Sequence, residues 1–239
     1  MSDYPIDDPA ALKALGVMQQ KSEDLYSVRL CGMGGEWSAG DLRAAADLAE
    51  RYAAGVIHLT VRQGLEIPDV PQADLEALLT ALAEARLRVG GVGSRVRGIV
   101  ACPGGRCRRG LIDSAETARA LQEAVGDRAD LPHKFKIAVA GCPSCCAKPQ
   151  ENDFGVQGAP GQTFRLHVGG RMGRSARLGQ LLPIELPDLP SLCKAAGAAI
   201  DWYAEHGRPK ERFGLTIDRV GAESLHRRIA AAMPAADTA

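Results

Sequence analysis

Two short loops each carry a pair of cysteines beside a proline: Ala101-Cys-Pro-Gly-Gly-Arg-Cys107 and Gly141-Cys-Pro-Ser-Cys-Cys146. Cysteines at such spacing aim two thiolates at one point, and two such loops can close on a shared centre. Iron–sulfur clusters take four thiolates with spacings that vary between cluster types. Zinc prefers Cys-x2–4-Cys, so spacing alone leaves zinc open. A disulfide framework fits less well. The N-terminus Met1-Ser-Asp-Tyr-Pro-Ile-Asp-Asp8 is acidic and carries no hydrophobic targeting core, and 239 residues can bury a core without covalent staples. Cys31 and Cys193 stand singly in apolar surroundings and read as buried, inert thiols. Cys145 is ambiguous at this stage. It could pair with Cys142 as Cys-x2-Cys, or stand aside while Cys146 completes Cys-x3-Cys.

Charge sharpens the picture. The chain is neutral overall, but residues 95–180 hold 14 Lys and Arg against seven Asp and Glu, whereas residues 1–94 hold eight against 14. The basic stretch is the one that holds all four paired cysteines. Arginine suits bidentate recognition of carboxylates and oxyanions, so this stretch predicts an anionic cofactor or substrate. A nucleic-acid surface is disfavoured, because aromatic residues make up only 4% of the chain and no binding module is visible. No apolar run approaches the roughly 20 residues of a membrane span, and a cytoplasmic location, where thiols stay reduced, is expected.

Hydrophobic periodicity places these loops. Tyr26–Cys31 reads as a strand, broken by Gly32-Met-Gly-Gly35. Ser38 is placed to cap a helix running to about Ala54, with Leu42, Ala45, Leu48, Ala49 and Tyr52 on one face and Gly55 as its stop. Val56–Val61 reads as a second strand and Asp74–Arg88 as an amphipathic helix ended by Gly90-Gly91. The N-terminal portion, residues 1–92, is thus ferredoxin-like in outline. In the remainder, 93–239, strands over Val96–Ala101 and Lys134–Ala140 each run into a cysteine pair. A helix over Ser114–Val125, a strand over Phe164–Val168 and helices near 191–206 and 219–232 complete an α+β chain. The proline-rich stretches 68–71 and 183–190 read as turns or connectors. Between Phe164–Val168 and the last helices lies a Gly/Arg-rich loop, Gly169–Arg177.

Other chemistries find little support. Gly32-Met-Gly-Gly35 lacks the third glycine of a dinucleotide fingerprint, and Gly91-Val-Gly93 precedes its strand, which is the wrong order. His58, His133 and His167 show no metal-ligand spacing and read as core or surface histidines.

The cysteine loops and their flanks resemble the siroheme- and [4Fe-4S]-containing sulfite and nitrite reductases. Gly141-Cys-Pro-Ser-Cys-Cys146 is similar to that family's Gly-Cys-Pro-Asn-x-Cys loop, and Pro132-His-Lys-Phe-Lys-Ile137 to its Pro-x-Lys-Phe-Lys strand. Thr60-Val-Arg-Gln63 resembles its Thr-x-Arg-Gln run, and Asp153-Phe-Gly-Val156 its Asp-Ile-Gly segment. The match covers roughly residues 25–175 in the family's order. Two departures stand out. The first pair is Cys102-x4-Cys107, one residue shorter than the family's usual Cys-x5-Cys. Full-length members carry two copies of the arrangement and this chain carries one, like the small, single-repeat, assimilatory-type low-spin branch.

The resemblance implies a ferredoxin-like half followed by a siroheme- and [4Fe-4S]-binding α/β domain with a mixed sheet. It implies six-electron reduction of sulfite to sulfide, or of nitrite to ammonia, with electrons entering through the cluster. Cys102, Cys107, Cys142 and Cys146 become the cluster ligands, with Cys146 shared with the siroheme iron and Cys145 a bystander. Siroheme is a polycarboxylate, which suits the basic middle of the chain. Arg62, Gln63, Arg106, Arg108 and Arg109 are then its expected partners. Arg97, Lys134, Lys136 and Arg29 become the expected oxyanion-binding residues. The electron donor would be a ferredoxin or a reductase subunit, and the chain a monomer or homodimer. A cluster-only electron carrier is the alternative from a different class. The paired Lys134 and Lys136 argue against it, since a carrier needs no oxyanion pocket.

Overall fold

A computed structural model of the chain describes residues 4–233. The ends of the acidic N-terminus (1–3) and of the C-terminal portion (234–239) lie outside the described residues. The chain divides into two units, Met1–Gly93 and Ser94–Ala239.

The first unit is a four-stranded antiparallel sheet in the order β1-β2-β4-β3, with α1 (Pro9–Leu15) before it. Its strands are β1 (Val17–Gln19), β2 (Leu25–Leu30), β3 (His58–Leu59) and β4 (Leu65–Pro71), and α2 (Ala39–Tyr52) and α3 (Leu75–Glu84) complete it. Leu12, Val28, Leu30, Ile67, Leu75, Leu78 and Leu82 are fully buried in its core. Ser38 caps α2 as expected, within a capping box. Its hydroxyl accepts from the Asp41 N–H while the Asp41 carboxylate accepts from the Ser38 N–H. Only Ala45 and Ala49 of the predicted face are fully buried, and Leu42 is exposed.

Three sequence readings in this unit are corrected. The strand expected over Val56–Val61 shrinks to His58–Leu59, because its side chains face solvent: Leu59 is 73% and Val61 98% exposed. Prolines 68 and 71 stand inside β4 rather than in a turn. A bulge accommodates Pro68. Val28 pairs with Ile67 and Tyr26 with Val70, so Ser27 alone faces Pro68 and Asp69, and Asp69 takes a left-handed φ of 59°. The helix expected to reach Arg88 stops at Glu84, where Arg86 turns left-handed at φ 56°.

The second unit is a five-stranded mixed sheet in the order β5-β6-β7-β8-β9. β5 (Val100–Ala101), β6 (Ile137–Ala140) and β7 (Phe154–Ala159) run parallel, and β8 (Thr163–Val168) and β9 (Gln180–Leu186) add antiparallel. α4 (Ser114–Val125) crosses between β5 and β6, its first turn capped by Asp113. α5 (Leu189–His206), α6 (Phe213–Val220) and α7 (Ala222–Ala232) follow. Their core centres on Phe135, Tyr203 and Phe213, whose rings meet at 5.0–5.9 Å. Corrections fall here too. The strands into the cysteines begin later than expected, with Val96 and Phe135 joined only by an isolated bridge. The helix expected over 219–232 is two helices, broken at Gly221 with φ 102°. Pro183 lies in β9, an edge strand whose pairing shifts between Phe164 and Leu166.

Candidate metal centre

Each cysteine pair leaves the C-terminal end of a parallel strand. β5 ends at Ala101 and β6 at Ala140, and the two strands are neighbours, so both loops emerge at the same end of the sheet. The loops are tied together by backbone. Leu111 N–H donates to Gly141 O at 2.8 Å, and Gly141 N–H donates to Cys102 Sγ at 3.1 Å. Ser114, the first residue of α4, donates its hydroxyl to Cys102 O at 2.6 Å. Two glycines make the approach possible. Gly104 has φ 46°, and a Cβ there would stand 2.0 Å from Ser114 Oγ; a Cβ on Gly141 would meet Gly104 Cα at 2.9 Å.

The loops enclose a cavity of about 170 Å³ lined by Cys102, Cys107, Cys142 and Cys146, with Arg109, Gly104 and Gly141 among the other walls. All seven cysteines carry free thiols. Among the described residues, no three His, Cys, Asp or Glu side chains converge closely enough to hold one metal ion. Four thiols around one cavity are a donor set that a [4Fe-4S] cluster can take. The Gly141 N–H aimed at Cys102 Sγ also suits a thiolate, because a backbone donor stabilises anionic sulfur.

Cys145 is turned away from this cavity. Its backbone is left-handed, φ 53°, and its thiol accepts from Gln150 Nε2 at 3.2 Å and lies 3.7 Å from Gln157 Oε1. Gln157 Oε1 also meets His167 Nε2 at 3.1 Å. The lone thiols Cys31 and Cys193 are half-buried rather than buried, and burial pushes the Cys193 thiol up.

A second group gathers in the same unit. Phe135 and Ile137 are fully buried while Lys134 and Lys136 are half-buried, the alternation expected of a strand. Arg97 is half-buried and its N–H donates to Phe135 O at 2.9 Å, so it lies beside this segment. Burial lowers the Lys134 ammonium below its ordinary range, helped by the charges of Arg212 and Arg97 and opposed by Asp153. His133 is lowered by burial, then by Lys134, Arg212 and Arg97. Arg106, Arg108 and Arg109 are exposed on the first cysteine loop.

The remaining expected site residues belong to the first unit. Arg62 and Gln63 form the tight link between β3 and β4. Gln63 N–H donates to Thr60 O at 2.9 Å, Gly64 N–H to Thr60 Oγ1 at 3.0 Å, and Gln63 takes φ 59°. Trp37 Nε1 donates to Gln63 O at 3.0 Å and fixes the turn. Arg29 on β2 is engaged by its cross-strand partner Glu66 on β4, at 2.6 Å. Burial works to raise the Glu66 carboxyl; hydrogen bonds from Ser27 and Arg29 overcome it and hold the group below its usual range.

Sequence reasoning missed Arg212. It lies 59 residues beyond Asp153, yet its guanidinium donates to both carboxylate oxygens of that residue, at 2.8 and 2.9 Å. In the sequence Asp153 stands out only as part of Asp-Phe-Gly, and nothing near Arg212 in the chain marks it.

The fold and site define a two-unit α+β protein with a four-cysteine centre at the end of a mixed sheet. The chain belongs to the nitrite and sulphite reductase family. Residues 92–235 match that family's 4Fe-4S domain, and residues 18–85 match its ferredoxin-like half domain. The chain is 36% identical over 145 residues to the coenzyme F420-dependent sulfite reductase of Methanocaldococcus jannaschii, covering 60% of this chain and 23% of that protein. It is 32% identical over 190 residues to the ferredoxin–nitrite reductase of Synechococcus elongatus, covering 75% and 37% respectively. The chain thus spans well under half the length of these relatives. Among solved structures, Mycobacterium tuberculosis NirA superposes with a TM-score of 0.73 at 26% identity, covering 90% of this chain and 41% of that one. Dissimilatory sulfite reductase I gives 0.78 at 17% identity, covering 89% and 70%, a likeness of fold. No helix among the described residues is long and apolar enough to cross a membrane.

Proposed function

We propose that the chain is a siroheme-dependent reductase of a small oxyanion, carrying sulfite to sulfide with six electrons delivered through a [4Fe-4S] cluster. The observation that carries this reading is the 170 Å³ cavity lined by Cys102, Cys107, Cys142 and Cys146, with a backbone N–H already donating to one of its sulfurs. Membership of the family supports the cofactor pair.

In this reading Cys102, Cys107, Cys142 and Cys146 would hold the cluster, and Cys146 would also serve as the thiolate toward the siroheme iron. Siroheme, when bound, supplies an iron centre for multi-electron reduction. Arg106, Arg108 and Arg109, exposed on the first cysteine loop, would hold its carboxylates, and Arg62 and Gln63 are expected as partners from the resemblance alone. Lys134, Lys136 and Arg97 neutralise the oxygens of the oxyanion and stabilise charge as bonds to oxygen break. Burial lowers the Lys134 ammonium below its ordinary range, which suits a proton donor. The guanidinium of Arg29, expected in the same role from the resemblance, is held by Glu66.

Sulfite stands first because the relative at 36% identity is named a sulfite reductase. Nitrite reduction to ammonia at the same site is the second reading, favoured by the ferredoxin–nitrite reductase that aligns over 75% of the chain. A ferredoxin or a reductase subunit is the proposed donor. The test is an optical spectrum of the purified protein, with turnover of sulfite and nitrite under a reduced dye. Isobacteriochlorin bands and sulfide production are expected. Iron–sulfur absorption without those bands would leave an electron carrier, and zinc without iron would end the reading.

A further inference from the structure

Asp153 is fully buried, and its carboxylate acts on Lys134. Its Oδ2 accepts the backbone N–H of Lys136 at 2.9 Å, in the segment that leads into β6. The same carboxylate receives the bidentate pair from Arg212, which precedes α6 and is itself nine-tenths buried. One side chain from the far end of the unit thus reaches, through one carboxylate, the backbone between the two candidate oxyanion lysines and the sheet.

Energetics make this an unusual choice for stability alone. A buried ion pair is weak evidence of stabilisation, since a well-packed apolar pair often serves as well. Arg212 Nε is also a buried donor with no protein partner among the described residues. A donor left so is costly. Arg212 further adds a cation to a group that already holds Arg97, Lys134 and Lys136.

We propose that Arg212 is a positioning residue of the oxyanion site: through Asp153 it fixes the segment that presents Lys134 and Lys136. The proposal rests on the reading of those lysines as the oxyanion group. Arg212 enforces their register, because Asp153 cannot hold Lys136 N–H in place without a partner for its own charge. The groups facing Lys134 are Arg97, which follows the Val96 bridge, Arg212 before α6, Asp153 before β7, and the adjacent His133. Of these only Asp153 favours the ammonium form. Removal of Arg212's charge therefore makes Lys134 easier to protonate.

The test uses the cofactor-loaded protein and two readouts. The first is the pH midpoint of Lys134 acylation, followed by mass spectrometry under trace labelling. The second is kcat/KM for sulfite. Arg212→Gln should move the midpoint upward and lower kcat/KM on the order of 10-fold, the scale of a misplaced reacting group. Arg212→Lys restores the charge and should return the midpoint close to the parent value. Where Arg212→Gln fails to fold, Asp153→Asn with Arg212→Gln removes both charges while leaving an acceptor for Lys136 N–H. It should fold and keep a smaller upward shift, because Arg212 acts on Lys134 more strongly than Asp153 does. An unchanged midpoint in a folded variant lacking Arg212 overturns the proposal, whatever the activity. Full turnover in Lys134→Met with Lys136→Met would instead overturn the oxyanion reading, and leaves the labelling result to decide on Arg212 by itself.

Discussion

The backbone N–H of Gly141 donates to Cys102 Sγ at 3.1 Å, so the second cysteine loop is fastened to a sulfur of the first by protein alone. The two loops are 34 residues apart along the chain at Cys107 and Gly141. Their meeting depends on the parallel pairing of β5 with β6 and on two glycines that let backbones touch.

Gly104→Ala tests that contact. The new methyl would sit 2.0 Å from Ser114 Oγ at a backbone φ of 46°, so the first loop must shift. Iron and acid-labile sulfide should fall below half of the parent value. The far-ultraviolet circular dichroism should stay close to the parent's, since α4 keeps its Asp113 cap.

Cys145 and Cys146 should separate cleanly. Cys146 lines the cavity, whereas Cys145 turns to Gln150 and Gln157. Cys146→Ser should lose the electronic coupling between cluster and siroheme, read by electron paramagnetic resonance. Cys145→Ser should retain both cofactors. Loss of the cluster in Cys145→Ser with retention in Cys146→Ser would reverse the ligand assignment.

Neutralising either lysine of the 134–136 pair to Met should cut sulfite and nitrite turnover by roughly 10-fold or more, the effect of losing an oxyanion-stabilising or proton-donating group. Cofactor content, measured as iron per chain and by the optical spectrum, should stay at the parent level. Turnover at the parent rate in both single variants would place the oxyanion elsewhere.

Much of this site was legible in the sequence, for physical reasons that differ by residue. The cysteines announce themselves, because few chemistries need four thiolates at that spacing. The faces of Lys134 and Phe135 follow from strand alternation. The Ser38 cap follows from its short hydroxyl side chain ahead of an acidic first turn. Pro68 misled because a bulge opposite Ser27 hides it inside a central strand, and Pro183 because an edge strand tolerates a missing donor. Val56–Val61 misled in the other direction: β-branched composition describes a surface that packs, and here little packs against it. Arg212 could not be found at all, since only the fold brings it within reach of Asp153.

Acid stability should carry a signature of Glu211. Hydrogen bonds from Arg219, with help from Arg208 N–H and Thr216, hold its carboxyl down to about 2 against an ordinary 4.5. A lowered carboxyl contributes stability that is complete above the unfolded value and is lost as pH falls toward the folded one. Urea unfolding should therefore weaken between about pH 4.5 and 2 more steeply in the parent than in Glu211→Gln. Parallel pH profiles for the two proteins would contradict this.

The core of the second unit should be least forgiving at Phe135. Its ring meets Phe213 edge-on at 5.0 Å and Tyr203 at 5.9 Å, with no exposure. Phe135→Ala should cost about 3–5 kcal/mol, the usual range for an aromatic core truncation. The midpoint of denaturant unfolding measures it.

The crossover through α4 has one more consequence. Cys107 and Cys142 bracket 34 residues that include the whole of α4, and both sulfurs face one cavity. A cluster held there by both sulfurs would join the two ends of that segment in the folded unit. Because that site exists only where the two loops meet, loading it would stabilise the folded unit, and the centre would double as the clasp of the unit that surrounds it.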